Sequence, residues 1–281
     1  MRKFSRKHWM VPDDLAPGDS KSLLRDWSEV ELEVIESVGS PFFMAAFDAL
    51  WTEFGEAGEM EQPDVLAKRM AWDPSVFVDG CAMHYQMMLL RSGGKIAGVT
   101  DQTAILTAGE PGVIVHHSHI LLAPEWRRTG LAGWLRALPV ATARQLLGMH
   151  NHPATSAVTI VGEMEHPDPS DPATHGRLAA MEKAGYRKAD PARVRYLQPD
   201  FRAHHEIDKN GPQPVPLSLV LRRVGREEEN FISGAEIRHY TSAIYKMYGR
   251  EMRAADMAAV HASLADYPGC DERIRLVPPT A

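Results

Sequence analysis

Ala123-Pro124-Glu125-Trp126-Arg127-Arg128-Thr129-Gly130-Leu131-Ala132 lies between two segments of different period. Before it, VIVHHSHILL (113–122) reads as a strand. After it, Leu131, Trp134, Leu135 and Leu138 repeat at i, i+3, i+4 and i+7, the apolar stripe of a helix running from Gly130 to Gly148. The stretch is therefore a strand-to-helix connection. The first turn of such a helix leaves N–H groups without partners, and its dipole favours negative charge. Those donors suit a pyrophosphate. Gly130 carries no Cβ to hold phosphates off the backbone, and Ala132 is small to the same end. Arg127 and Arg128 supply charge-assisted hydrogen bonds.

Upstream, HYQMMLLR (84–91), the turn Ser92-Gly93-Gly94-Lys95 and IAGVTDQTAIL (96–106) form a hairpin. A second turn, Gly109-Glu110-Pro111-Gly112, makes 113–122 the third antiparallel strand in a row. VELEVIESV (30–38) alternates apolar and acidic residues, as a half-buried strand does. Pro41 opens a helix reaching Phe54, and another falls within 61–72. Downstream, Pro139 predicts a kink or break in the helix. SAVTIVGEM (156–164) is a strand, and a proline-rich loop leads to a helix from Thr174 to Ala184 that ends at Gly185. VRYLQP (194–199) and PLSLVLRRV (216–224) are strands, and 232–263 reads as two helices. The pattern is α/β of the α+β kind: a mixed, mostly antiparallel sheet flanked by helices. It divides into an N-terminal extension (1–29), a main domain (30–224) and a helical tail (225–281). The tail is too short for its own core and is expected to dock on the same domain.

The chain has 281 residues, 44% of them hydrophobic and 24% charged, values of an ordinary globular protein. Its net charge of −6 argues against nucleic acid as partner and favours a cationic acceptor such as an amine. Cys81 and Cys270 form no CxxC pair, so a disulfide framework or zinc ribbon is not expected. The basic start MRKFSRKHWM is followed by no apolar run of a secretory signal, and no stretch approaches the ~18–20 apolar residues of a membrane span. A cytoplasmic protein with no membrane partner is expected. His117 and His119, on one face of a regular strand, could chelate a metal, but no HExxH or Cys pair completes the site, and no metal is expected.

The run Pro124-Glu125-Trp126-Arg127-x-x-Gly130-Leu131-Ala132, directly after an apolar strand ending Leu122-Ala123, resembles the acyl-CoA signature of the GNAT N-acetyltransferase superfamily. Glu182-Lys183-Ala184-Gly185-Tyr186 is similar to that family's EKxGF helix close. Glu163-Met164-Glu165, Arg177 and Tyr196-Leu197-Gln198-Pro199 look like features of bacterial members. The resemblance covers about residues 30–224. It implies a GNAT-like fold, acetyl-CoA as co-substrate and transfer to an amine by direct attack. It implies that Leu121, Leu122, Arg127, Arg128, Thr129, Gly130, Leu131, Ala132 and Gly133 hold the cofactor. A small-molecule amine is the expected acceptor rather than a protein, and a homodimer is left open.

Attack by an amine needs a base, because an ammonium has no lone pair. Strand alternation puts His116, Ser118 and Ile120 on one face and His117, His119 and Leu121 on the other. The family resemblance assigns the base to the position six residues before Leu122, which is His116, whose ordinary pKa of ~6.5 suits the task. Glu163 and Glu165 share a face of the next strand and could bind a cationic amine, with Glu163 also able to act as base. The family's usual general acid is a tyrosine; Met181 stands there and cannot donate a proton, while Tyr186 takes a core position. The acid is unassigned, and a module that binds acyl-CoA without turnover is the alternative reading.

Overall fold

A computed structural model describes residues 2–3, 11–55 and 57–281, with only the backbone of the first two. The rest of the expected extension, residues 1 and 4–10, lies outside the described residues. The chain forms two compact units, Met1–Val158 and Thr159–Ala281. That division falls inside a strand rather than at the borders read from sequence. The expected fold class holds: a mixed α/β chain with antiparallel strand pairs and flanking helices. No helix among the described residues is long and apolar enough to cross a membrane.

In the first unit five strands run in sequence order: β1 (Arg2–Lys3), β2 (Val30–Ile35), β3 (Cys81–Ser92), β4 (Lys95–Thr107) and β5 (Val113–Leu122). The β3–β4 hairpin turns on Gly93 and Gly94, with φ of 56° and 80°. Two consecutive positive φ values match the twist of a two-residue hairpin loop, and glycine adopts them without strain. Helices α1 (Phe43–Leu50), followed by a π turn at Trp51–Gly55, and α2 (Pro63–Met70) line one side of the meander. Phe43, Phe47, Leu50 and Leu66 pack there on Tyr85, Met87, Leu89 and Val99.

Helix α3 (Leu131–Met149) packs on β3, β4 and β5. Its predicted stripe is buried: Leu131, Trp134, Leu135 and Leu138 meet Met88, Leu90 and Ala97. Pro139 breaks nothing; the helix runs through it. An interior proline costs about 3 kcal/mol. Four large apolar side chains buried at ~1.5–3 kcal/mol each outweigh that. A polar chain anchors the C-terminal half: Gln102 donates to Thr142 (3.0 Å), Thr142 to Gln86 (2.8 Å) and Gln86 to Gln145 (2.9 Å).

The expected extension is a strap over α3. Short helical turns at Pro12–Asp14 and Pro17–Leu23 lie along it. Asp19 accepts two bonds from Arg136 (3.0 and 2.6 Å), and Asp14 pairs with Arg144 (2.6 Å). Ser22 donates its hydroxyl to the Gly130 carbonyl at 2.6 Å, while its own carbonyl accepts from Trp27 Nε1 (2.7 Å) and Trp134 Nε1 (3.2 Å).

In the second unit the order is β6 (Val158–Met164), β9 (Val215–Arg223), β7 (Arg187–Ala189), β11 (Arg273–Val277) and β10 (Phe231–Ser233), with β8 (Tyr196–Gln198) also on β9. Helices α4 (Pro172–Lys183), α5 (His204–Asn210), α6 (Gly234–Gly249) and α7 (Ala254–Ser263) complete it. The tail holds the two expected helices and more: β11 pairs with β7, and β10 with β11. Arg273-Ile274-Arg275-Leu276 alternates exposed and buried residues, the period-2 pattern of a strand.

Gly133 shows how tightly the strap sits. A Cβ there would lie 2.4 Å from Ser22 Oγ and 2.9 Å from Asp19 Cβ. Glycine to alanine inside a helix ordinarily gains up to ~1 kcal/mol. Here overpacking, at about 1–3 kcal/mol, reverses the sign. Gly133→Ala should lower the urea midpoint and speed proteolytic cleavage within residues 12–24; a raised midpoint would contradict this packing.

Candidate functional site

The turn after β5 is built by short-range bonds. Pro124–Trp126 form one helical turn, and Thr129 Oγ1 donates to the Trp126 carbonyl at 2.6 Å. Arg127 Nε donates to the Leu122 carbonyl at 3.3 Å, tying the turn back to the strand end. Arg128 has φ of 63°, a left-handed conformation that costs a non-glycine residue about 1 kcal/mol. Gly130 follows at φ 101° and caps α3. Among the described residues no protein acceptor takes the N–H groups of Arg128, Gly130 or Ala132. Both arginine side chains are exposed. A turn of this kind can hold a polyanion: strained, cationic and with unfilled donors.

Gly130 has a different reason for being glycine than phosphate approach. Its missing Cβ would point at Ser22 (3.3 Å from Cα) and Trp27 (3.6 Å), the side of the strap. Its φ excludes other residues at low cost. Because a peptide's C=O and N–H point opposite ways, Ser22 on the Gly130 carbonyl also fixes the direction of the Leu131 N–H. The Leu131 N–H lies 3.4 Å from Thr129 Oγ1. The Gly133 N–H is spent on the Gly130 carbonyl at 3.1 Å, and its Cα lies under Ser22 and Asp19. Leu131 and Gly133 are buried, whereas Leu121, Leu122, Thr129, Gly130 and Ala132 are half-buried.

The histidine run departs from regular alternation. Register between β4 and β5 shifts between Asp101 and Gln102: Asp101 faces His119, Gln102 faces His117, and Ser118 is the extra residue of a bulge. The bulge moves His117 to the α3 side with Gln102, so His117 and His119 no longer share a face and cannot chelate one ion together. His117 Nε2 meets Thr100 Oγ1 at 2.7 Å, and that hydroxyl donates on to the His119 carbonyl (2.8 Å). The Thr100 proton being used, His117 carries its proton on Nε2. Burial pushes the His117 pKa down to about 3, leaving it neutral.

His119 is the opposite case. Its Nδ1 bonds Asp101 (2.8 Å), its Nε2 the Glu59 carbonyl (3.0 Å), and its ring packs on Phe54. Burial alone would lower its pKa, but the Asp101 carboxylate beside it and these bonds hold it at about 9. Asp101, also accepting from Tyr85 (3.0 Å), is kept ionised below the usual carboxylate range against its own burial. Asp101 and Tyr85 were missed in the sequence, although the polar run Thr100-Asp101-Gln102-Thr103 inside an apolar strand marked the place. His116 is 1% exposed, and its Nδ1 lies 3.2 Å from Ser118 Oγ.

In the second unit Glu163 accepts from Tyr196, from Tyr248 (2.8 Å) and from Gln198 (3.1 Å). Glu165 pairs with Arg177. Tyr186 is fully buried, as its core position implied.

No family model matches the chain, and no curated protein matches it. Solved structures similar to this chain include GNAT acetyltransferases. A tandem GNAT protein from the clavulanic acid biosynthesis pathway is 20% identical over 60% of this chain and 46% of its own, with a TM-score of 0.38. N-acetylglutamate synthase from Neisseria gonorrhoeae, complexed with coenzyme A and N-acetyl-glutamate, is 11% identical over 69% and 35%, at 0.39. A GNAT family acetyltransferase from Elizabethkingia anophelis with acetyl-CoA bound is 12% identical over 69% and 98%, at 0.38. This chain thus spans less than half the length of the first two.

The His119–Asp101 pair makes a pH prediction. A histidine whose folded pKa (about 9) exceeds its unfolded value of ~6.5 stabilises the fold fully below pH ~6.5 and loses that contribution as pH rises through about 9. The shift corresponds to on the order of 3 kcal/mol. The stability gap between wild type and His119→Gln should be widest near pH 6 and close towards pH 10 in denaturant titrations. A gap that does not change with pH would mean the ring is neutral.

Proposed function

We propose that the chain is a GNAT-type N-acetyltransferase that moves an acetyl group from acetyl-CoA to a small-molecule amine. The observation carrying this reading is the turn Arg127–Gly130, with Arg128 held left-handed beside unfilled N–H donors at the start of α3. Strain of this kind is kept where surrounding contacts fix it, and it points to a ligand. The acyl-CoA signature read on the same residues supplies the ligand's class. The polyanionic end of acetyl-CoA fits the donors and the two exposed arginines.

His116 is the proposed base. The amine nitrogen bonds to the acetyl carbon, the carbon–sulfur bond breaks, and the proton leaving the amine ends on the coenzyme A thiol by way of the base. Glu163 and Glu165 are proposed to face a cationic acceptor. Glu165 would then exchange Arg177 for the amine. Met181 in place of the usual tyrosine motivates the rival, an acyl-CoA binder without turnover; release of free thiol across an amine library separates the two.

Arg128→Gly tests the carrying observation. It relieves about 1 kcal/mol of backbone strain and removes one charge-assisted bond of ~1.5–3 kcal/mol. The variant should melt higher than wild type, yet bind acetyl-CoA about 10- to 100-fold more weakly by calorimetry. Unchanged affinity would place the polyanion elsewhere.

A further inference from the structure

Within the histidine run a hydroxyl stands within hydrogen-bond reach of the proposed base. The His116 ring is almost wholly buried, at 1% exposure. Ser118 is half-buried and is the residue that β5 spends on its bulge, outside the ladder register. Its Oγ reaches His116 Nδ1 at 3.2 Å. Directly across the ladder, Thr103 faces His116, and its buried hydroxyl has no protein partner among the described residues. The neighbouring rings cannot take the role. His117 is neutral, turned to the α3 side and a very weak base at about 3, and His119 already holds a proton against Asp101.

We propose that Ser118 is the catalytic residue that meets the acceptor amine and passes its proton to His116. This rests on the acetyltransferase reading above. The amine N–H proton moves to Ser118 Oγ as the Ser118 hydroxyl proton moves to His116 Nδ1. One proton leaves the amine, one reaches the imidazole, and the serine is unchanged. A nucleophile's proton, a hydroxyl and a ring nitrogen within hydrogen-bond reach satisfy the geometry that general-base transfer requires. The arrangement explains how a buried ring serves a solvent-borne amine, and why the bulge falls at residue 118. The amine is thereby a primary or secondary one, since it must carry a hydrogen to give.

The test compares wild type, Ser118→Ala, Ser118→Thr, His116→Ala and the Ser118→Ala/His116→Ala double variant, using acetyl-CoA and the best amine of the library. Ser118→Ala should lower kcat by about 10²-fold, within the span of a positioned base, with the acetyl-CoA dissociation constant unchanged. Ser118→Thr should restore most of it. The double variant should be no slower than the slower single one, because two links of one relay fail as a unit. Full activity of Ser118→Ala, or additive losses in the double variant, overturns the relay. So does a stable acetyl adduct on Ser118 in intact-mass spectra without amine, which would make the serine a nucleophile. Failure of wild type itself to release thiol with any amine overturns the acetyltransferase reading instead, and the two failures are told apart by that first measurement.

Discussion

One extra residue in β5 governs the site. Because side chains alternate along a strand, inserting Ser118 reverses the facing of everything on one side of it relative to the other. Without the bulge, His117 and His119 would share a surface and repel or chelate. With it, one ring is sealed neutral on the α3 side and the other is held charged against Asp101. The same shift leaves Ile120 and Leu122 on the side where they pack with Leu131 and Trp134, and Leu121 on the α1 side. The strand thus delivers a correctly faced end to the turn that starts α3.

The sequence made the local features legible. The ends of β5, the Gly-Gly hairpin and the apolar stripe of α3 rest on periodicity and turn chemistry, which act over a few residues. The bulge was not legible, since a two-residue period in VIVHHSHILL looks unbroken until the partner strand is known. The strap was hidden for a related reason. Residues 12–24 are polar and punctuated by proline, the marks of a loose extension, and their meaning lies in bonds to Arg136, Arg144 and Gly130 far along the chain. Gly130 was legible as a necessary glycine and Gly133 was not, and the neighbour that crowds both is the strap.

Three buried charges of the first unit are held by buried partners. Asp19 with Arg136, Asp101 with His119 and Glu61 with Arg69 each place both partners almost out of solvent. Desolvation takes back part of the attraction in such pairs, so what they contribute is less than the attraction alone. A shifted arrangement would strand a charge in the interior, and breaking such a pair is costly for that reason. In this chain they fix three attachments: the strap to α3, β4 to β5, and α2 to the residues before it.

The strap also sets a timetable. Its bonds join residues 108, 117 and 130 positions apart. Closing a loop of that size costs about 4 kcal/mol of chain entropy before any contact repays it. During synthesis at ~5–20 residues per second, Asp14 waits on the order of ten seconds for Arg144 to be made. Through that interval Trp27 has no Trp134 beside it, and the cradle turn does not yet exist. The polar, proline-spaced composition of residues 12–24 keeps the waiting segment soluble and unpaired until the helix arrives.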